Sequence, residues 1–182
     1  MTRLAIVALL ALALAGLGVY VVGERPELYE RVRYPLRYEE FVTGHARNYD
    51  LEPHLLAAVI YQESKFEAGA VSSSGAVGLM QLLPSTGQGI ADRTGGNAWT
   101  PADLHNPELN VRYGSWYLRH LLDKYGSEEL ALAAYNAGQT NVDRWREAGE
   151  GIQFAETRHY VQRVQELKQT YAEAYPDELG LR

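Results

Sequence analysis

The feature that most limits the fold is a period. Val111, Tyr117, Leu118, Leu121, Leu122 and Tyr125 recur mostly three or four residues apart along 106–125, and Gly126 closes the run. That spacing gathers apolar side chains on one side of an α-helix, whereas a half-buried strand alternates every second residue. Similar reasoning predicts helices over 38–49, from Pro53 to about residue 64, and over 84–94. Three more are expected over 128–138, 141–148 and 157–175. Pro53 suits a first turn and Ser127 an N-cap, while Gly95-Gly96, Gly138 and Pro176 end helices. Residues 65–78 are rich in Ser, Gly and Ala without a helical period, which predicts a loop. No run alternates convincingly and no segment repeats, so the expected class is all-α.

The N-terminus reads differently. Residues 4–22 hold 19 positions without a charge, after a short start containing Arg3. That length matches the roughly 20 apolar residues of a spanning helix. A cleavable signal peptide is the competing reading, with Ala13-Leu14-Ala15 as a small-x-small site. The apolar run continues past that site through Leu17, Val19, Tyr20, Val21 and Val22, which favours a retained anchor. Either reading exports the rest of the chain to the cell envelope. The expected layout is an anchor or signal over 1–23, a juxtamembrane linker over 24–37, one domain over 38–176 and a tail over 177–182.

Net charge is −6, and residues 1–23 contribute only the positive Arg3, so the remainder is more acidic still. Such a body is a poor partner for a polyanion, and no nucleic acid is expected. Cysteine is absent, which excludes disulfides and a thiol nucleophile. The five histidines show no metal-ligand spacing, so neither metal nor cofactor is expected. Trp99, Trp116 and Trp145 are expected in the core.

Residues 57–66, AAVIYQESKF, then raise a specific question. Glu63 follows Val59 by four positions and Ile60 by three, which puts its carboxyl on the apolar side of a helix. A poorly solvated carboxyl holds its proton to higher pH, as a general acid acting near neutrality requires. The plainer alternative is a glutamate at a helix end reaching water. Downstream, SSSGAVGLMQLLPSTG over 72–87 places Gly75 and Gly78 where a backbone can turn tightly and approach a ligand. Read blindly it is a glycine-rich connector, and it lacks the phosphate-cradling pattern. ALAAYNAGQTNV then offers Tyr135 and Asn136, an aromatic ring beside an amide, at the end of a small-residue helix. That pair suits a sugar, or equally a core tyrosine with a helix-ending asparagine.

Taken in order, QES, the glycine-loop block, AAYNAG and ETRHYV over 156–161 resemble the signature blocks of the lytic transglycosylases of the soluble type, lysozyme-like enzymes that cleave peptidoglycan. The resemblance covers roughly 45–175. It implies a lysozyme-like helical domain acting on glycan strands at the bond between N-acetylmuramic acid and N-acetylglucosamine. It implies Glu63 as the catalytic acid, and Ser72, Met80, Gln81, Tyr135 and Asn136 as substrate-binding residues. Tyr160 matches a tyrosine whose hydroxyl approaches that carboxylate, and Ser64 is expected to have a local structural role. Residues 67–71 depart from the family's usual loop, at no catalytic position.

Ordinary glycosidases use two carboxylates. No second one stands in a recognisable motif here, and Glu156, though in a matching block, is not made a nucleophile by the resemblance. The family's solution is that the muramic N-acetyl group stabilises the developing cation. The muramic 6-hydroxyl then attacks its own anomeric carbon, with Glu63 as acid and then base. Two other functions stay open: a goose-type lysozyme that hydrolyses the bond, and a non-catalytic glycan-binding module in a cell-envelope complex.

Overall fold

The computed structural model describes residues 3–24, 26–96 and 98–181, with the side chains at 4, 15, 17, 19, 21, 22, 24 and 26 outside that description. The order is α1 (Arg3–Glu24), α2 (Pro26–Arg33), α3 (Glu39–Asn48), α4 (Pro53–Ser64) and α5 (Pro84–Thr94). A 3-10 turn (Pro101–His105) follows, then α6 (Pro107–Tyr125), α7 (Glu128–Ala137), α8 (Gln139–Glu147) and α9 (Ala155–Ala174). Among the described residues there is no strand, only isolated bridges from Val77 to Val71 and Leu82. The expected all-α class holds.

The punctuation works as its chemistry demands. Asn106 caps α6 by accepting from Leu109 N, and Ser127 caps α7 by accepting from Leu130 N. Gly95 and Gly126 end α5 and α6 in the left-handed conformation, at φ 80° and 61°.

At the centre lies α4. Leu56, Ala57, Ala58, Val59 and Ile60 are all fully buried, so the middle of this helix is covered on every side. The sequence suggested one apolar face; the small Ala57-Ala58 pair instead lets neighbours close in all round. Against it runs α9, whose Val164, Leu167 and Tyr171 are fully buried at three- and four-residue spacing. Each such aliphatic side chain contributes roughly 1.5–3 kcal/mol. α7 completes this core with Ala131–Ala134, no side chain larger than Leu132 being admitted there. A smaller cluster of Val77, Leu82, Ile90, Leu104 and Tyr113 lies under α5, the 3-10 turn and the start of α6. The cleft between the two clusters is the site described below.

Residues on both sides of 38–176 also join the body. Tyr34 and Leu179 are buried in the main core. Arg31 on α2 donates through Nε to the Ala174 carbonyl (2.7 Å) and pairs with Glu178 (2.5 Å). On the N-terminal side, α1 covers 22 residues. The anchor expected over 4–22 falls partly on side chains outside the described residues. Among those described, no helix is long and apolar enough to cross a membrane.

Candidate active site

Glu63 sits in the last turn of α4, where the chain must reverse. Lys65 and Phe66 both adopt the left-handed region, at φ 52° and 62°, without being glycine. That conformation costs a side-chain-bearing residue about 1–2 kcal/mol. Two local features offset it: the Phe66 ring is buried in the core, and Ser64 ties the turn down. The Ser64 hydroxyl lies within hydrogen-bond reach of two carbonyls, Ile60 O at 3.1 Å and Leu79 O at 2.8 Å. The structural role expected of Ser64 is thus a fastening between the helix end and the glycine loop.

The carboxyl of Glu63 faces a groove of 420 Å³ and is otherwise enclosed by protein. Burial drives its pKa from 4.5 to about 7, against the opposing effect of one hydrogen bond from Tyr160. Tyr160 Oη donates to Glu63 Oε1 at 2.6 Å. Burial and the adjacent Glu63 push the Tyr160 phenol well above its ordinary value, so it remains a donor at any working pH. With Oε1 engaged by Tyr160, Oε2 is the oxygen left for a substrate.

Tyr160→Phe removes the contact that favours the ionised form. The alkaline limb of the pH–rate profile is therefore expected to move up by about one pH unit, with about a tenfold lower maximal rate from lost orientation. An alkaline limb that stays in place would show that the phenol does not tune Glu63.

The glycine loop forms the opposite wall. Ser72 and Gln81 both line the groove. Ser72 Oγ accepts from Ala76 N (3.0 Å) and shares a hydrogen bond with Ser74 Oγ (2.9 Å), which closes the turn on itself. Gln81 has a left-handed backbone, φ 47°, and its Nε2 donates to Ala70 O (3.1 Å) and Gly78 O (2.9 Å). Its amide oxygen is left as the acceptor for a ligand.

Met80 does not line the groove. Its side chain is fully buried, with the sulfur packed on Gly114 so closely that a Cβ there would meet it at 2.2 Å. The turn at Gly78 (φ 82°) and Gln81 sends consecutive side chains to opposite sides, Gln81 outward and Met80 into the core. Only the Met80 backbone serves the site, its carbonyl accepting from Tyr135 Oη at 2.8 Å.

One residue that sequence reasoning passed over holds this wall in place. Asn110 of α6 is fully buried and uses its whole amide. Oδ1 accepts from Met80 N (2.8 Å), while Nδ2 donates to Val77 O (2.8 Å) and Leu104 O (2.9 Å). A Cβ on Gly78 would come within 2.3 Å of that Nδ2 and 2.8 Å of the Leu104 carbonyl.

From α7, Tyr135 and Asn136 both line the groove. Thr157 of α9 donates to Asn136 Oδ1 at 2.8 Å, which turns the amide NH2 toward a ligand. Tyr117 of α6, also passed over, lines the groove with its ring 5.5 Å from that of Tyr135. Glu156 is exposed on the rim, in the first turn of α9, where its charge favours the helix N-terminus. One enclosed acid with a raised pKa, flanked by aromatic rings and two amides, can protonate a leaving oxygen in a ligand that is neutral and rich in hydroxyl and amide groups.

Comparison with known proteins places this groove in context. Residues 40–156 match the family model described as the transglycosylase SLT domain. A soluble lytic murein transglycosylase of Salmonella typhimurium is 35% identical over 149 residues, covering 72% of this chain and 22% of the relative. Among solved structures, an inactive glutamate-to-glutamine mutant of the lytic transglycosylase Slt from Pseudomonas aeruginosa is 31% identical. It superposes with a TM-score of 0.72 over 79% of this chain and 25% of that one. The 70 kDa soluble lytic transglycosylase of Escherichia coli gives 28% identity and a TM-score of 0.75, over 88% and 28% of the two chains. The chain therefore spans about a quarter of the length of these relatives. The family match takes in the Glu63 turn, the glycine loop and the Tyr135-Asn136 pair, and the chain belongs to the transglycosylase SLT-domain family.

Proposed function

We propose that the protein is a peptidoglycan lytic transglycosylase. It cleaves the β-1,4 bond between N-acetylmuramic acid and N-acetylglucosamine and leaves 1,6-anhydromuramic ends. The observation that carries this is the Glu63 carboxyl, held by burial at a pKa of about 7 beside Tyr160. At neutral pH a large fraction of such a carboxyl is protonated and able to give its proton to the glycosidic oxygen from Oε2. Once ionised, with Tyr160 still donating to Oε1, it accepts the proton of the muramic 6-hydroxyl as that oxygen closes on the anomeric carbon. The nucleophile belongs to the same sugar ring, so no water has to be recruited and positioned. The relatives support this reading: they are lytic transglycosylases, one of them inactive with glutamine in place of a glutamate.

Product mass tests the reaction. Digestion of peptidoglycan is expected to yield muropeptides lighter by one water than hydrolytic products. A digest dominated by reducing ends would replace this reading with the goose-type hydrolytic one.

We also propose that the apolar run over 4–22 holds the domain at the outer side of a membrane. The support is its length and lack of charge. The full chain is expected to stay with the membrane fraction after alkaline extraction, and release into the supernatant would refute retention.

A further inference from the structure

Glu63 and Tyr160 stand on different helices, α4 and α9. Their 2.6 Å contact is the one hydrogen bond between those two helices among the described residues. The rest of the α4–α9 contact is apolar, and apolar packing has no direction of its own. A bond this exacting gains from a further tie across the seam. One exists, and it comes from outside residues 40–156, the part that matches the family model.

The end of α2 and the chain just after it cross from one helix to the other. Tyr61 precedes Glu63 by two positions and so points about 200° away from it around α4. Its hydroxyl donates to the Arg33 carbonyl at 3.1 Å. The next residue, Tyr34, meets the Tyr61 ring edge-on at 5.2 Å and 80°. On the α9 side, Arg163 Nη2 donates to Tyr34 Oη at 2.8 Å. Arg163 follows Tyr160 by three positions, a neighbour on the helix surface. Tyr34 therefore touches both helices, within a turn of each half of the catalytic pair, while lining none of the groove itself.

The crossing segment is itself fastened. The Tyr175 hydroxyl accepts from Leu36 N at 3.1 Å, and the carbonyls of Arg31 and Tyr34 lie 3.2 and 3.1 Å from it. Tyr171 backs the same region, its ring 6.2 Å from that of Tyr61 and 6.2 Å from that of Phe66 in the catalytic turn. Tyr34 is buried among these rings and cannot simply follow either helix if one moves.

We propose that Tyr34 is a positioning residue for the cleavage reaction: by tying Tyr61 of α4 to Arg163 of α9, it holds the Tyr160 hydroxyl on the Glu63 carboxyl. The inference rests on Glu63 being the acid of the reaction proposed above. Because Tyr34 touches neither the carboxyl nor the groove, it acts on the rate and leaves substrate affinity alone. Once Tyr160 has lost its hydroxyl there is no bond left to hold, so a change at Tyr34 has nothing further to remove.

The test is a double-mutant cycle in the full-length chain, with Tyr34→Leu, Tyr160→Phe and both together. Release of soluble fragments from labelled peptidoglycan is followed at 25 °C and near pH 6.5, where all four proteins are checked to be folded. Tyr34→Leu is expected to lower kcat about fivefold with KM changed by less than about twofold. In the Tyr160→Phe background the same change should cost almost nothing. A second readout needs no cleavage: the Glu63 carboxyl is titrated by carbon NMR and assigned by its disappearance in Glu63→Gln. Leucine keeps an apolar side chain in the seam, so Glu63 stays as poorly solvated as before. Weakening the bond from Tyr160, which favours the ionised form, then moves the midpoint up from about 7. A rise of about half a pH unit is expected, and no rise when Tyr160 is already Phe.

Rate losses that multiply across the cycle would overturn the inference, since Tyr34 would then serve the fold at large. So would a higher KM with kcat unchanged, or an unmoved carboxyl midpoint. If wild type cleaves no peptidoglycan, the proposed reaction fails and the titration alone decides the role of Tyr34. Should Tyr34→Leu not fold, Tyr34→Phe takes its place in both readouts. It loses only the Arg163 contact, with an expected rate loss of about threefold that again vanishes beside Tyr160→Phe.

Discussion

Glu63→Gln is expected to lower cleavage of peptidoglycan by at least about a thousandfold while leaving the fold intact. General acid and general base steps each contribute about 10²–10⁴ in rate, and here one carboxyl serves both. The amide keeps the shape and can still accept from Tyr160, but it has no proton to transfer. A variant that retains more than a tenth of wild-type turnover would remove Glu63 from the reaction. In the wild type the first step needs the protonated acid, so the rate should fall as pH rises through about 7.

The same shift has a consequence for stability. Folded Glu63 releases its proton near 7, whereas the unfolded chain releases it near 4.5. Below 4.5 both states are protonated and the group costs nothing. As pH rises from 4.5 to 7 the unfolded state sheds its proton first, and stability is lost across that window. Above it the full penalty applies, about 2–3 kcal/mol after allowance for the side of the carboxyl that meets water. Glu63→Gln escapes the penalty. Denaturant melts should therefore find the inactive variant more stable than wild type at pH 8 and nearly equal to it at pH 4.5. Equal stability at both would mean that the site does not hold its acid in an unfavourable setting.

Asn110→Ala is the second large effect, and it strikes the fold as well as the groove. The substitution strands one buried amide proton, at Met80, and two carbonyls, at Val77 and Leu104. A loss of about 3–5 kcal/mol is expected, or roughly a 10 °C fall in melting temperature for a domain of this size. Asn110→Asp should be nearly as harmful at neutral pH, because it turns an oxygen toward the two carbonyls that Nδ2 now serves. Acidification should partly relieve it by restoring a donor. A loss below 1 kcal/mol in the alanine variant would show that the glycine wall is held elsewhere.

The helices were legible because their ends are written in local chemistry: a proline in a first turn, an asparagine or serine cap, a glycine with positive φ. Glu63 was legible for a similar reason, since an acid out of step with its helix is visible from four residues of context. Its pKa was less so. Part of it is set by Tyr160, 97 positions away, and only the family resemblance pointed there. Met80 was misplaced because adjacency to Gln81 says nothing about direction, which the left-handed turns decide. Tyr117 was missed because its spacing matched the buried stripe of α6, and a period cannot tell the flank of a stripe from its middle. Asn110 had no signal at all, being one polar residue in a helix with its partners 30 or more positions back on the loop, or six back at Leu104.

The glycine wall has no regular secondary structure, yet most of its backbone amides are hydrogen-bonded. Val77 and Leu82 pair with each other, Gly78 N reaches Ala70 O at 2.9 Å, and Met80 N reaches the α6 amide. Its internal hydrogen bonds are completed from outside the loop, chiefly by one side chain on a different helix. Anyone grafting this segment onto another helical scaffold would therefore transplant a sequence without its shape. The portable unit is residues 70–82 together with Asn110, the glycine at 114 that admits Met80, and the Tyr135 hydroxyl that donates to the Met80 carbonyl.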